Sequence, residues 1–393
     1  MRSVTAVTVG RSDWGIYRPV LTRILQDPRL NLSLVVSGAH LCRRDGRTID
    51  EIRSDGFSVT ETVDMLLGSD HPVGTAKSIG LGTIGFADTW ERLNPDIILL
   101  LGDRFEMLAA ALAAVPMGIP IAHIHGGEVT HGAIDDAFRH SITKYSHLHF
   151  ASTHEHANRI IQLGEEPWRV TISGAPAIDN LKLIRLISRE NLAAELDIDP
   201  CQNPLIVTYH PVTLQQQDTL HQVEILVSVL SELTLPIVIT RPNADPGQSV
   251  ISEQLERFEQ EHANVRLISN FGTQKYFSLM RDACVMVGNS SSGIIEAAMF
   301  GLPVVNIGPR QSGRPRSENV IDVDCVRQEI LDGIAKARSP DFKLRSERAQ
   351  NIYGSGNAGE IIAARLASVE MDDALKLKRF HDLPAAASGN AAA

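Results

Sequence analysis

Apolar positions along this chain fall into short β-branched runs separated by stretches of helical period. Residues 4–9, 32–36, 97–101, 121–125 and 147–151 are too short for helices and are bounded by polar or turn residues, so they read as buried strands. Between them, 16–26 and 105–114 carry apolar residues three and four apart, the spacing of one helix face. Strand and helix in alternation predict a parallel sheet covered by helices on both faces. A second set begins near Pro204, with strands at 205–209, 236–240, 265–268, 284–287 and 304–307 and helices at 220–233, 249–262 and 294–300. The pattern predicts an α/β protein of two Rossmann-like, doubly wound domains with a central cleft. We place the first domain at 1–178 and the second at 179–357, with the charged stretch 179–199 as the connection. The helix within 358–382 is expected to pack back on the first domain. The low-complexity residues 383–393 are expected to form a disordered tail.

The length of 393 residues fits two domains. A net charge of −10 argues against an electrostatic nucleic-acid binder. No apolar run reaches the length of a membrane span, and the first residues enter a strand pattern directly, so neither a membrane partner nor a signal peptide is expected. Cys42, Cys201, Cys284 and Cys325 are far apart, without a CxxC pair. That spacing suggests neither zinc nor a disulfide scaffold, and we expect a cytoplasmic protein with reduced thiols.

Ligands of doubly wound sheets bind beyond the carboxyl ends of the strands. Polar residues collect at those ends here: Gly10-Arg11-Ser12-Asp13, Gly102-Asp103-Arg104, His125-Gly126-Gly127-Glu128, His210, Asn243-Ala244-Asp245, and Gly288 to Ser292. No Gly-x-Gly-x-x-Gly follows the first strand and no P-loop occurs, so a nicotinamide or flavin cofactor is not expected. His123 and His125 alternate on a strand and point to opposite faces, which argues against a shared metal. The run Gly288-Asn289-Ser290-Ser291-Ser292-Gly293 opens a predicted helix. It offers three hydroxyls and unpaired first-turn amides to an anion, and Glu296 follows where a ribose diol would meet it. A serine N-cap on an ordinary helix, with a solvated Glu296, is the plainer alternative. Asp103, Glu128 and the Asp135-Asp136 pair supply carboxylates for acid–base work, with Arg11, Arg104 and Arg139 as nearby cations. Asp135 also suits a helix N-cap, and His210 a satisfied core histidine. Gly126-Gly127 are read as admitting a ligand close to the backbone.

The ordered set Arg11-Ser12-Asp13-Trp14-Gly15, Leu101 to Glu106, His123 to Glu128, Phe138 to Lys144, His210-Pro211-Val212-Thr213, Asn243-Ala244-Asp245, Gly288 to Gly293 with Glu296, and Asn306 to Arg314 resembles the hydrolysing UDP-N-acetylglucosamine 2-epimerases of sialic acid and related pathways. The resemblance runs from about Val4 to about Asp382. It implies a GT-B-like fold and conversion of a nucleotide sugar to UDP and free N-acetylmannosamine, without a cofactor. It implies that the second domain holds UDP through His210, Ser290, Ser291, Ser292 and Glu296, with Asn243, Asp245 and Arg310 nearby. Arg11, with Asp13 and Arg104, would approach the diphosphate from the first domain. Asp103, Glu128 and one of the aspartate pair would handle protons. The match at Arg139-His140-Ser141 aligns Asp136 with the family's acidic position. Val9-Gly10 stand where the family often has Gly-Ser or Gly-Thr, so no hydroxyl contact is expected at Gly10. The resemblance also implies a homodimer or homotetramer.

Relatives of this type act on UDP-N-acetylglucosamine or on diacetylbacillosamine nucleotides. The loops at 41–47 and 70–77 are candidates for the pocket that tells these sugars apart. Non-hydrolysing epimerases and GT-B glycosyltransferases are the enzyme rivals, and a catalytically dead nucleotide-sugar sensor is the rival of another class. The carboxylates at the first domain's strand ends favour epimerisation over transfer.

Overall fold

The computed structural model describes residues 1–42, 48–68, 72–130, 134–199, 202–211, 218–241, 248–268 and 271–383. The chain divides into two units: Met1–Asn180 with the chain from Gly356 onward, and Leu181–Ser355. In the first unit β1 (Arg2–Thr8), β2 (Leu30–Ser37), β3 (Glu61–Val63), β4 (Ile97–Leu101), β5 (Ile121–Ile124), β6 (Leu148–Ala151) and β7 (Val170–Ile172) form one parallel sheet in the order β3-β2-β1-β4-β5-β6-β7. In the second unit β8 (Leu205–Thr208), β9 (Ile237–Thr240), β10 (Val265–Ile268), β11 (Val285–Gly288), β12 (Val304–Ile307) and β13 (Val320–Val323) form another, ordered β10-β9-β8-β11-β12-β13. Both are doubly wound Rossmann-like sheets that reverse direction beside their first strand, between β1 and β4 and between β8 and β11.

Three strands escape the sequence pattern: β3, β7 and β13. Each lies at a sheet edge and is only partly buried, so it needs no continuous apolar run. The segment expected as a loop at 70–77 belongs largely to a helix, Pro72–Leu93. Its glycines disguise it, and two of them, Gly82 and Gly85, serve packing. A Cβ at Gly82 would lie 2.6 Å from Met65 Cε, and one at Gly85 would lie 2.8 Å from Val63 Cγ1. Residues 43–47 of the other expected loop lie outside the described residues. Among the described residues no helix is long and apolar enough to cross a membrane.

Helix α1 (Arg11–Gln26) follows β1, and the helix Ala358–Ser368 packs on it. Asp179 is buried rather than part of a solvated connection. Its carboxylate accepts from the backbone N–H groups of Ala358 (3.0 Å) and Gly359 (2.7 Å), groups that have no partner within their own helix. Beyond that helix the chain is strapped across the same unit. The buried Arg169 donates to the carbonyls of Leu375 (2.8 Å) and Ala374 (2.7 Å). Lys378 donates to the carbonyls of Lys144 (2.7 Å) and Ser146 (2.5 Å).

Under this strap lies Glu165, whose side chain is fully buried against Lys144 (2.6 Å), Lys378 (2.8 Å) and His149 Nε2 (3.0 Å). Burial alone would raise its carboxyl. The hydrogen bonds from His149, Lys144 and Lys378 outweigh it and pull it from 4.5 to about 2. A depressed folded value means that this stabilisation is complete above about pH 4.5 and is lost as pH falls toward 2. Glu165→Gln is therefore expected to lower stability at neutral pH by about 3–5 kcal/mol, the scale of breaking a buried ion pair from one side. It should also flatten the acid limb of the melting curve. Unchanged melting temperatures between pH 3 and 7 would show that the strap does not depend on this charge.

Candidate active site

The carboxyl ends of β1, β4 and β5 bring together most of the candidates in the first unit. After β4 come Asp103 and Arg104, with Arg104 capping α2 (Phe105–Ala114). After β5 the chain makes a left-handed turn at His125 (φ 66°) and reaches Glu128. Helix α3 (Asp135–Tyr145) then presents Asp135, Asp136 and Arg139 from its first turns.

Arg139 ties this end of the sheet together. Arg139 is 5% exposed, and its guanidinium donates to Asp103, to Asp136 Oδ1 (2.7 Å), to Thr130 Oγ1 (3.0 Å) and to the Glu128 carbonyl (3.0 Å). Sequence reading treated Arg139 only as a nearby cation. Its place one helical turn after Asp136 is the signal for the ion pair. The two aspartates of α3 are in different situations. Asp136 Oδ1 also accepts from the backbone N–H of Thr130 (2.6 Å), so Asp136 is held within the loop-and-helix framework. The Asp135 carboxyl is raised by burial and by the negative charge of Asp103, the condition of a group that keeps its proton longer than an ordinary aspartate.

Arg104 pairs with the fully buried Glu106 through two contacts of 3.3 Å. Burial would lower its guanidinium, but the charges of Glu106, Asp13 and Asp135 hold it above its ordinary value. Asp13 and Arg104, both expected at the site, thus share one electrostatic cluster. Arg11 is exposed and pairs with Glu51 at 3.4 Å. Behind the cluster, His40 bridges Thr8 Oγ1 (3.0 Å) and Thr48 Oγ1 (2.7 Å). Burial and the Arg104 charge lower it to about 4, so it is neutral at pH 7.

His123 and His125 take separate partners. His123 Nε2 donates to the Gly102 carbonyl (2.7 Å), and burial drives this imidazole down to about 3. His125 Nδ1 meets Glu128 Oε1, which also accepts from Ser152 Oγ (2.8 Å). Gly127 serves packing rather than the ligand approach expected for it. At φ +75° a Cβ there would lie 2.2 Å from the His156 carbonyl oxygen.

In the second unit the candidates gather at the ends of β8 and β11. Gly288 closes β11 at φ +136°, where a Cβ would fall 2.0 Å from the Thr208 carbonyl oxygen. No other residue lets these strand ends lie so close. Asn289, fully buried, then clamps His210: its Oδ1 accepts from His210 N (2.7 Å) and its Nδ2 donates to His210 O (2.9 Å). The Asn289 carbonyl in turn accepts from Arg310 (3.2 Å) and Gln311 Nε2 (2.9 Å). The sequence placed Asn289 inside a motif without a role; a fully amide-bonded asparagine at a strand end is a positioning residue. Burial and the Arg310 charge lower His210 to about 4, so at neutral pH it offers a neutral ring, not a cation.

The predicted helix at 294–300 starts earlier and is broken. Helix α4 (Ser291–Ile295) gives way to a 3-10 turn, Ala297–Phe300. Asn351 Nδ2 donates to the Ile295 carbonyl (2.7 Å), which satisfies the group exposed by the break. Ser290 is the N-cap, and its Oγ accepts from Ser292 N at 3.4 Å. Ser290 Oγ also bonds Ser292 Oγ (2.9 Å), which reaches Tyr276 Oη (2.7 Å). Ser291 is the first helical residue and half-buried. Five residues build little macrodipole, so any anion here relies on hydroxyls and amides. Glu296 stands at the break. Its Oε2 is buried and has no hydrogen-bond partner among the described residues. Burial pushes its carboxyl up to about 7 against the opposing charge of Arg314. Asn243 and Asp245 lie outside the described residues.

The sequence model of the UDP-N-acetylglucosamine 2-epimerase family matches residues 22–367. The UDP-N,N'-diacetylbacillosamine 2-epimerase (hydrolyzing) of Legionella pneumophila is 37% identical over 92% of this chain and 94% of its own. The GDP/UDP-N,N'-diacetylbacillosamine 2-epimerase (hydrolyzing) of Campylobacter jejuni is also 37% identical, over 97% of this chain and 99% of its own. Among solved structures, the UDP-GlcNAc 2-epimerase of Neisseria meningitidis bound to UDP-GlcNAc superposes with a TM-score of 0.78 at 19% identity, covering 93% of this chain and 99% of that one. The chain belongs to the UDP-N-acetylglucosamine 2-epimerase family.

The buried Glu296 carries a stability signature. Its folded value, about 7, lies above the ordinary 4.5, so the folded state holds the proton more tightly. Its burial is tolerated below about pH 4.5 and becomes destabilising as pH rises through 7. Glu296→Gln is expected to melt above the wild type at pH 8 and close to it at pH 5. Parallel melting temperatures at both pH values would mean that this carboxyl titrates normally.

Proposed function

We propose that the chain, as a member of this family, is a hydrolysing 2-epimerase of a UDP-linked 2-acetamido sugar, releasing the free 2-epimer and UDP. The observation that carries this reading is the carboxylate cluster at the end of the first unit's sheet. It contains one aspartate, Asp135, whose proton affinity is raised, beside Asp103, an ion-paired carboxylate. For the sugar we favour UDP-N,N'-diacetylbacillosamine, because two hydrolysing relatives at 37% identity are named for the diacetylbacillosamine nucleotide. UDP-N-acetylglucosamine is the second reading, supported by a Neisseria meningitidis relative named for it at 30% identity.

The C2 hydrogen of such a sugar is not acidic in the ground state. Departure of UDP from C1 builds oxocarbenium character and acidifies it. Ser290, Ser291, Ser292 and Arg310 stabilise the diphosphate, Arg11 adds a further cation, and the neutral His210 contributes a hydrogen bond. Glu296 accepts from the ribose diol, which gives its buried Oε2 the partner it does not find among the described residues. Asp103 or Glu128 takes the C2 proton, leaving a glycal. Water then adds at C1 and a proton returns to the opposite face of C2. Asp135 suits that return, because its carboxyl is raised, whereas Asp136 serves to hold Arg139. This reassigns the acidic role by one residue from the position that the sequence alignment favoured.

Product analysis tests the reading. With UDP-N,N'-diacetylbacillosamine, UDP-N-acetylglucosamine and their GDP counterparts, NMR is expected to show free 2-epimer and UDP from at least one UDP-linked sugar. Turnover in D₂O places deuterium at C2, and ¹⁸O-water labels C1 and not UDP. A UDP-linked epimer, or retained C2 hydrogen, overturns hydrolysis by elimination. Asp103→Asn, Glu128→Gln and Asp135→Asn should each cut turnover by at least about 10²-fold with little change in UDP affinity. Asp136→Asn should act more on melting temperature than on turnover. The reverse ranking of Asp135 and Asp136 would restore the original alignment.

A further inference from the structure

Glu128 does not stand alone. Ser152 follows β6 and lies 2.8 Å from Glu128 Oε1 through its Oγ, and the same Oγ lies 2.8 Å from His156 Nδ1. Ser152 and His156 are each 1% exposed. His156 sits in the first turn of the helix His154–Gln162, whose N-cap Thr153 accepts from His156 N at 3.2 Å. The loop that carries Glu128 is docked onto this turn: Gly127 packs on the His156 carbonyl, and Arg159 donates to the Gly127 carbonyl at 2.5 Å.

Proton counting sets the direction of this chain. A hydroxyl has one proton, and an ionised carboxylate only accepts. Ser152 therefore gives its proton to Glu128, and its oxygen accepts from His156. Burial lowers His156 to about 4, so its ring is neutral and carries a single N–H. That hydrogen must then be on Nδ1. His125 Nδ1 donates to the same Oε1 from the other strand end.

We infer that Ser152 and His156 are positioning residues for Glu128, with His156 held as its Nδ1–H tautomer and donating through Ser152 to the carboxylate. The inference rests on the proposed acid–base role of Glu128. Neither residue touches the sugar. Together with His125 they fix the plane of the carboxylate through donors to its Oε1.

The test uses the full chain with its UDP-sugar substrate and a C2-deuterated form of it. Ser152→Ala removes one oxygen and leaves the packing otherwise intact. It is expected to lower kcat about ten- to a hundredfold, the effect of losing one hydrogen bond to a charged group. KM and UDP affinity should stay within about twofold, and the C2 isotope effect on kcat should rise as proton abstraction becomes more rate-limiting. His156→Asn puts an amide nitrogen where Nδ1 stands and should retain more activity than His156→Gln, which reaches the Nε2 position. Wild-type kcat in Ser152→Ala, an unchanged isotope effect, or equal losses in the two His156 variants would overturn the inference. Glu128→Gln separates the layers. If it turns over normally, the role of Glu128 itself is wrong. If it is inactive while Ser152→Ala is normal, only the positioning chain fails. Should the His156 variants not fold, Ser152→Ala and its isotope effect decide alone.

Discussion

Each sheet reverses its strand order beside its first strand, and the placement of the candidate site residues follows from that constraint. Crossovers between parallel strands are right-handed, so strands on either side of the reversal send their helices to opposite faces. The carboxyl ends of those two strands are left uncovered. In the first unit this opening lies between β1 and β4, next to Arg11, Asp103 and Arg104; in the second it lies between β8 and β11, next to His210 and the serines. The constraint reaches down to single atoms at Gly288, where β11 meets the Thr208 carbonyl so closely that a side chain has no room.

Polar groups crowded at a sheet end must be paired before the sheet can be stable. Arg139 does this in the first unit, joining Asp103, Asp136, Thr130 and the Glu128 backbone through one buried guanidinium. Asp135 makes no bond to that guanidinium, and burial and the Asp103 charge raise its carboxyl even against the opposing charge of Arg139. Histidines complete the framework as neutral groups. His40, His123, His156 and His210 are all lowered, with burial as the largest cause in each, and the rings of His40, His123 and His156 are hydrogen-bonded within the first unit.

The second unit makes the opposite choice at Glu296. A buried carboxylate oxygen with no partner among the described residues is unfavourable for the isolated fold, and burial raises its carboxyl accordingly. Such local violations concentrate where a ligand supplies the missing partner. Glu165 is fully buried but held by two lysines and a histidine, so the fold pairs that carboxylate, whereas Glu296 Oε2 finds no partner among the described residues.

By itself the sequence determined the architecture, two doubly wound parallel sheets with their covering helices. Continuous apolar runs identify strands buried on both faces, and polar residues at their ends mark the candidates for a site. Edge strands β3, β7 and β13 and the glycine-bearing helix Pro72–Leu93 were hidden, because half-burial and close packing leave no periodic signal. Only the tertiary structure decided what each candidate residue contacts. Asp135 and Asp136 are adjacent and chemically identical in the sequence; they differ because Arg139 and the Thr130 amide take one of them. Asn289 became a clamp on His210, and Ser152 and His156 became partners of Glu128, through contacts between separate strand ends. Proton affinity and hydrogen-bond direction depend on burial and on neighbours distant in the chain, and no spacing along a sequence encodes them.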